Sequence, residues 1–283
     1  MTRRTKTLQR RARPVFLVGC HRSGTTLARF ILDAHPTFAC PPESKFIAGL
    51  RAFMEYPQLH VAFRSLGVSS GQVYEGLRTF TTSVLDQYAR SRGKSRWIDK
   101  TPNYYRCLDF IDELFDGHVM YLFMTRHPFD TVASLEGWGR GAYGQDDPEI
   151  RRHVEAHGSG RLSWTTYWTD VNHHLITFAS GHADSCHFFK YEDLVLDTDV
   201  TLTRILAFLG ETLPPSLVEE AFKAMPRSGR GFGDSSIRTT TRIETSGVGL
   251  ARSWTRGERH ALWRVAGGVA KILGYSSKLR LAE

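Results

Sequence analysis

The sequence has no long hydrophobic run and few cysteines, and each shortage excludes a class of protein. No uninterrupted apolar stretch in the 283 residues approaches the roughly 18 that indicate a membrane-spanning helix, so we expect no transmembrane segment. The cysteines are far apart and lack the short spacing of zinc ligands, which is typical of reduced thiols in a cytoplasmic protein rather than of a disulfide framework. The four cysteines are Cys20, Cys40, Cys107 and Cys186.

Acidic residues are missing from the first thirteen positions, which carry six basic residues. No apolar segment of the kind found in a secretory signal follows them, so we expect a cytoplasmic location and a basic disordered arm at residues 1–13. The arm carries six positive charges of the net charge of +8, so the rest of the chain has a net charge of about +2. Zinc-finger, helix-turn-helix and RNP patterns are also missing, so no nucleic-acid partner is expected.

A lysine is missing from the segment Phe16-Leu-Val-Gly-Cys-His-Arg-Ser-Gly-Thr-Thr-Leu27. Gly19 and Gly24 have the spacing of a nucleotide-binding P-loop, but Thr25 stands where that loop has its lysine, and Arg22 supplies positive charge instead. In a strand, glycine turn and helix of this kind, the backbone N–H groups at the start of the helix point to one place and can bind an anion there. The segment therefore predicts an anion site. The alternative is that the glycines serve only the turn. The candidate ligands are Arg22, Ser23, Gly24, Thr25 and Thr26.

Apolar runs alternate with helical patterns along the chain. Strands are predicted at residues 15–18, 97–98, 119–124 and 187–190, and helices at 23–34, 104–115, 128–138, 164–178 and 200–209. This order predicts a single α/β domain at residues 14–283, with a P-loop-like parallel β-sheet flanked by helices. Ligands of such sheets bind at the carboxyl ends of the strands. The polar residues that follow the four strands are Arg22, Lys100, Arg126 and Tyr191, which suits a polyanionic ligand.

These motifs together resemble those of sulfotransferases that use 3′-phosphoadenosine 5′-phosphosulfate (PAPS). Within that superfamily they are most similar to the tyrosylprotein sulfotransferases and their bacterial relatives. Arg22-Ser-Gly-Thr-Thr26 resembles the family's 5′-phosphosulfate loop, and Arg126-His-Pro-Phe-Asp-Thr-Val-Ala-Ser134 resembles its 3′-phosphate segment. The remaining matching motifs, within residues 15–210, are Asp99-Lys-Thr-Pro102, Tyr191-Glu-Asp-Leu-Val195 and Ile205-Leu-Ala-Phe-Leu-Gly210.

The resemblance implies a role for each group of residues. Arg126 and Ser134 would bind the 3′-phosphate of PAPS, and Glu43 would take the proton of the acceptor hydroxyl as general base. Lys100 and Arg22 would stabilise charge on the leaving group, with no metal required. From the residues alone, Glu43 could equally be an acid that favours the start of a helix predicted over 44–56.

Residues 226–256 resemble the family's mobile basic segment that folds over the nucleotide, and within it Arg242 and Ser246 would contact the cofactor. A plain surface loop is the alternative. Lys45 departs from the tyrosylprotein enzymes, which have arginine there, so the acceptor geometry could differ.

The predicted function is transfer of a sulfuryl group from PAPS to an alcohol or phenol by in-line displacement, which yields 3′-phosphoadenosine 5′-phosphate (PAP). Two alternatives stay open, a P-loop kinase that uses ATP and magnesium and a non-catalytic nucleotide or RNA binder. Thr25 in the lysine position counts against the kinase, and Glu43 with Lys100 counts against an inert binder. Because no membrane anchor is found, the expected acceptor is a hydroxyl of a small molecule, a glycolipid or a sugar.

Overall fold

A parallel five-stranded sheet forms the centre of the protein. The computed structural model describes residues 13–139, 147–224 and 241–280. The strands are β1 (Val15–Gly19), β2 (Phe38–Ala39), β3 (Arg96–Lys100), β4 (Met120–Thr125) and β5 (Cys186–Lys190), in the order β2-β3-β1-β4-β5. Every described pair of neighbouring strands is parallel. The predicted fold class is confirmed, although the sequence patterns did not reveal the two-residue strand β2.

Helices connect the strands and cover both faces of the sheet. The described α-helices are α1 (Thr25–Ala34), α2 (Phe46–Met54), α3 (Pro57–Ser65), α4 (Ser70–Ser91), α5 (Leu108–Leu114), α6 (Pro128–Gly139), α7 (Pro148–His157), α8 (Arg161–Gly181), α9 (Tyr191–Leu196), α10 (Thr198–Leu209), α11 (Leu217–Ala224) and α12 (Arg256–Ile272). Short 3₁₀ helices span Pro102–Cys107, Ala183–Ser185 and Leu250–Ser253.

The alternation of side chains along each strand explains the two hydrophobic clusters. Phe16 and Val18 of β1 face one cluster, and Val15 and Leu17 face the other. All five residues of β1 are buried, as expected for a central strand of a parallel sheet that has helices on both sides. Trp164, in α8, is fully buried in the first cluster, so this aromatic residue packs the core rather than lining an open surface.

Two boundaries differ from the sequence predictions in ways that matter for the site. The helix predicted over 44–56 begins only at Phe46, because Lys45 adopts a left-handed conformation with φ of 56°. Glu43 therefore lies in the loop, three residues before α2, rather than immediately before its first residue. The helix predicted over 104–115 is a 3₁₀ helix, Pro102–Cys107, followed by α5, and Pro102 occupies the first position of the 3₁₀ helix.

Several sequence predictions fall outside the described chain. Residues 1–12 of the basic arm and residues 226–240 of the proposed mobile segment are among them, so both remain predictions. Within residues 13–139, 147–224 and 241–280, no helix combines the length and apolar character needed to cross a membrane.

Candidate active site

The loop between β1 and α1 is shaped by two glycines. A side chain at Gly19 would collide with the carbonyl oxygen of Met124 on the neighbouring strand. Gly24 has φ of 96°, and a Cβ there would lie 2.5 Å from the ring of Tyr191. Both glycines are thus required for close packing of the loop against β4 and α9. The packing holds the first turn of α1 at the carboxyl end of the sheet, where the N–H groups of a helix start can bind an anion.

Arg22 lies at the centre of the loop and joins it to α6. Its backbone is left-handed, with φ of 66°, and its Nε donates a hydrogen bond to the Oγ of Ser134 at 3.1 Å. The guanidinium also lies 5.9 Å from the ring centroid of Trp138. A non-glycine residue with positive φ is uncommon and marks a backbone that the surroundings hold in place. The structure therefore brings together Arg22, which was predicted to bind the 5′-phosphosulfate, and Ser134, which was predicted to bind the 3′-phosphate.

Arg126, at the end of β4, packs beneath the same loop. Its Nη1 donates to the carbonyl oxygen of Arg22 at 2.7 Å, and its Nη2 donates to the carbonyl oxygen of Gly247 at 2.5 Å. The guanidinium stacks on Tyr191, with 4.5 Å between Cζ and the ring centroid. Arg126 and Tyr191 thus meet as predicted, whereas Ser134 contacts Arg22 rather than Arg126.

Glu43 and Lys100 form a buried ion pair beside the loop. The Nζ of Lys100 donates to Oε1 of Glu43 at 2.6 Å and to Oγ1 of Thr26 at 3.4 Å. The Lys100 side chain is fully buried, and that of Glu43 is only 10% exposed. A charge in such a place requires a close partner of opposite sign. The pair brings the loop before α2, the end of β3 and the first turn of α1 to one point.

The environment shifts the titration of both partners. Burial acts to raise the pKa of Glu43, but the attraction and hydrogen bond of Lys100 outweigh it, so the pKa is lowered and the carboxylate is ionised at neutral pH. Burial lowers the pKa of Lys100, which the attraction of Glu43 partly offsets. An ionised carboxylate is able to accept a proton, as a general base must.

Asp99 holds the loop that carries Glu43. This carboxylate is fully buried, and its Oδ2 accepts a hydrogen bond from the Oγ of Ser44 at 2.6 Å. Burial raises the pKa of Asp99 to about 6, despite the opposing hydrogen bonds from Ser44 and Tyr104. Its second oxygen has no hydrogen-bond partner in the described chain. Asp99 therefore positions the loop that carries Glu43. The motif Asp99-Lys-Thr-Pro102 contains this residue, but nothing in the sequence indicated its contact with Ser44.

The segment that follows residue 240 reaches the site through Gly247. A Cβ at Gly247 would collide with the hydroxyl of Tyr191, so the backbone passes directly over that ring. Arg242 and Ser246, the predicted ligands, are both exposed, and the Oγ of Ser246 donates to Glu244 at 3.5 Å. The structure thus places the neighbour of Ser246, rather than Ser246 itself, against Arg126.

Asp130 was missed by the sequence reasoning, although it lies within the quoted motif. Its buried carboxylate accepts hydrogen bonds from the backbone N–H groups of Gly249 at 2.8 Å and Ala251 at 3.1 Å. The segment after residue 240 is thereby attached to the start of α6. Nothing in the sequence pairs an acid at 130 with backbone groups about 120 residues later.

Two buried donors near the loop have no hydrogen-bond partner among the described residues, and they test whether the site fits a bisphosphate nucleotide. The Oγ of Ser23 and the Nε of Arg126 are both buried, and neither has a hydrogen-bond partner in the described chain. Buried polar groups are rarely left unpaired, so they indicate an acceptor that the described residues do not supply. Phosphate or sulfate oxygens, which are strong acceptors, match these donors and the N–H groups of α1.

Comparison with known proteins gives a consistent family match. A family model described as the sulfotransferase family matches residues 14–215. The nodulation protein NoeE of Sinorhizobium fredii is 34% identical over 132 residues, which cover 44% of this chain and 31% of that protein. The protein-tyrosine sulfotransferase of Drosophila melanogaster is 26% identical over 203 residues, 69% of this chain and 37% of that protein. The aligned parts are thus about a third of each relative's length.

Solved structures show the same fold. The sulfotransferase domain from the curacin biosynthetic pathway superposes with a TM-score of 0.65 and 18% identity, over 93% of this chain and 98% of that domain. The mouse sulfotransferase SULT7A1 complexed with PAP gives a TM-score of 0.51 and 14% identity, over 92% of this chain and 84% of the mouse protein. At these identities the likeness concerns the fold alone.

Proposed function

This chain belongs to the sulfotransferase family, and on that premise we propose that it transfers the sulfuryl group of PAPS to a hydroxyl of a small molecule, a glycolipid or a sugar. PAPS supplies the activated sulfuryl group and leaves as PAP. A mouse protein of the same fold was solved with PAP bound, which supports this donor.

The observation that carries the proposal is the ion pair of Glu43 and Lys100 next to Thr26. In our proposal the acceptor oxygen attacks sulfur while its proton passes to the carboxylate of Glu43. The bond between sulfur and the bridging oxygen breaks, and the ammonium of Lys100 stabilises the charge that collects on that oxygen. A fixed cation in a buried site is worth on the order of 3 kcal/mol to such a transition state.

The loop would bind the donor's 5′ end. In the proposal the backbone N–H groups at the start of α1, with Arg22, Ser23, Gly24, Thr25 and Thr26, hold the 5′-phosphosulfate. Arg126 and Ser134, which both contact Arg22, and Tyr191, on which Arg126 stacks, would bind the 3′-phosphate end of the nucleotide. Arg242 and Ser246 are exposed, so their proposed contact with PAPS requires the segment to approach when the nucleotide binds.

Nucleotide binding separates this function from a kinase or a general nucleotide binder. Isothermal titration of the full chain with PAP and with ATP plus magnesium is expected to show clear preference for PAP. Adenosine 5′-phosphate, which lacks the 3′-phosphate, is the matched control and should bind more weakly than PAP. Preference for ATP with magnesium would favour the kinase instead.

Transfer itself is tested with donor labelled with sulfur-35. The full chain is incubated with this donor and a metabolite extract, and labelled products are separated and identified. A labelled sulfate ester is expected with the wild-type protein and not with Glu43→Ala, which should still bind PAP. An active Glu43→Ala variant would place the base elsewhere.

A further inference from the structure

A second carboxylate lies close to the proposed base and shares a cation with it. The Nζ of Lys45 is 3.5 Å from Oε2 of Glu43 and 3.2 Å from Oδ2 of Asp147. On its other side Asp147 faces His21, with 3.7 Å between the His21 Nε2 and the same Oδ2. Asp147 is buried, with 6% of its surface exposed. Lys45 therefore lies between two carboxylates and is closer to that of Asp147.

The two oxygens of Asp147 make different contacts. Its Oδ1 accepts hydrogen bonds from the backbone N–H groups of Glu149 at 3.0 Å and Ile150 at 3.3 Å, which caps α7. A neutral serine or asparagine caps a helix equally well, so capping does not require a charge here. Its Oδ2 lies 3.2 Å from the Nζ of Lys45 and 3.7 Å from the Nε2 of His21. The negative charge of Asp147 is therefore explained by its pairing with Lys45 rather than by the helix.

We propose that Asp147 is a positioning residue for the proposed base, because it competes with Glu43 for Lys45 and so preserves the ability of Glu43 to accept a proton. The inference rests on the proposed function of Glu43, and it assigns a role in that reaction to the start of α7. Without the charge of Asp147, Lys45 would be drawn more strongly to Glu43 and would stabilise the ionised form of the base further. A base stabilised in this way takes a proton less readily.

The direction of the effect follows from the charges around Glu43. Basic side chains face its carboxylate from three parts of the chain besides its own loop, and a positive charge on any of them favours ionisation. Asp147 acts in the opposite direction, both by its own negative charge and by its attraction for Lys45. The groups that face the Glu43–Asp147 cluster are Lys100 from β3, His21 from the loop after β1, Arg29 from α1 and Lys45 itself.

The test is a direct titration of Glu43. The side-chain carboxyl carbons of glutamate are labelled with carbon-13, and the Glu43 resonance is assigned by its loss in Glu43→Gln. In Asp147→Asn the pKa of Glu43 is expected to fall by about one pH unit relative to the wild-type protein. Asp147→Ser, which also retains a capping group, should give the same shift. An unchanged or raised pKa in these variants would overturn the proposal.

A double-mutant cycle then asks whether Lys45 mediates the effect. In a Lys45→Met background the substitution Asp147→Asn should move the pKa of Glu43 by less than half as much. An equal shift in both backgrounds would mean that Asp147 does not act through Lys45, and the proposal would be wrong. Thermal unfolding of each variant verifies that α7 remains folded.

The titration also separates this proposal from the proposed function. It reads the pKa of Glu43 without any acceptor or donor, so it is valid even if no sulfuryl transfer is found. If the function is right as well, the acidic limb of the pH–rate profile for transfer should move to lower pH in Asp147→Asn, and the plateau rate should fall severalfold. A shifted pKa in a protein that transfers no sulfate would refute the function alone.

Discussion

The Nζ of Lys100 lies 2.6 Å from Oε1 of Glu43, and the lysine side chain is completely buried. They come from different parts of the chain, the end of β3 and the loop before α2. A buried pair of this kind adds little net stability, but removing one partner leaves an uncompensated charge in the interior. The relationship therefore has consequences for stability that do not depend on any substrate.

Replacement of Lys100 by methionine should destabilise the fold. We expect a loss of about 3–5 kcal/mol in the free energy of unfolding, because the Glu43 carboxylate is left buried without its main partner. Urea denaturation followed by circular dichroism measures this loss. Lys223→Met is the matched control, since Lys223 pairs with Glu219 at 2.8 Å on the surface and should give no measurable change. Adding Glu43→Gln to Lys100→Met should recover part of the loss, and no recovery would contradict the interpretation.

The glycine at position 24 should not tolerate a side chain. Its φ of 96° strains any other residue, and a Cβ would lie 2.5 Å from the ring of Tyr191. Gly24→Ala is expected to lower the stability by about 1–3 kcal/mol and to weaken PAP binding at least tenfold. Gly137, in α6, has open space around its Cα, so Gly137→Ala should be neutral or slightly stabilising. Equal effects of the two substitutions on calorimetric PAP affinity would contradict this account of the loop.

The length and apolar character of the strands made most of the fold predictable from the sequence. The central strands β1 and β4 were identified to within one residue at each end, since both faces of each strand are buried and their apolar runs are continuous. Strand β2, Phe38–Ala39, is too short to give a periodic signal. The start of α2 depends on the left-handed backbone of Lys45, which no propensity of lysine favours.

The positions of the candidate site residues were predictable at the ends of strands and not where they depend on contacts distant in sequence. Arg22, Lys100, Arg126 and Tyr191 follow directly from the topology of a parallel sheet. The contacts of Arg126 with Gly247 and of Lys45 with Asp147 join residues more than 100 positions apart. Such pairs are set by the packing of α6, α7 and the segment after residue 240, which sequence periodicity does not describe.

Arg126 should distinguish PAP from a nucleotide that lacks the 3′-phosphate. In Arg126→Gln we expect PAP affinity to fall about 10- to 100-fold, since a charged hydrogen-bond donor is lost. Affinity for adenosine 5′-phosphate should change much less, so the preference between the two ligands shrinks. Arg152→Gln, an exposed arginine of α7, is the control for loss of a positive charge. If Arg126→Gln lowers the affinity for both nucleotides equally, Arg126 does not recognise the 3′-phosphate.

Asp99 should make stability depend on pH in an unusual direction. Its pKa is raised to about 6 in the folded protein by burial, above the value near 4 of an unfolded aspartate. The folded state therefore holds this proton more tightly, and the associated stability is complete below pH 4 and is lost as the pH rises to 6. Because the shift is about 2 pH units, the loss is about 3 kcal/mol.

Comparison with Asp99→Asn isolates this contribution from other carboxylates. Unfolding free energies of both proteins are measured by urea denaturation between pH 4 and pH 7. The wild-type value minus that of Asp99→Asn should decrease across this range. A difference that stays constant or increases with pH would show that Asp99 is not a buried acid of raised pKa.

The central claim, that Glu43 takes the acceptor's proton, is tested most directly by the single-turnover rate of sulfuryl transfer in Glu43→Gln at saturating labelled PAPS, with the identified acceptor. The substitution keeps the size and the hydrogen-bonding capacity of the side chain but removes its basicity. General-base catalysis predicts a rate about 10²- to 10⁴-fold below wild type, with PAP affinity nearly unchanged. A rate within tenfold of wild type would contradict the assignment of Glu43 as the base.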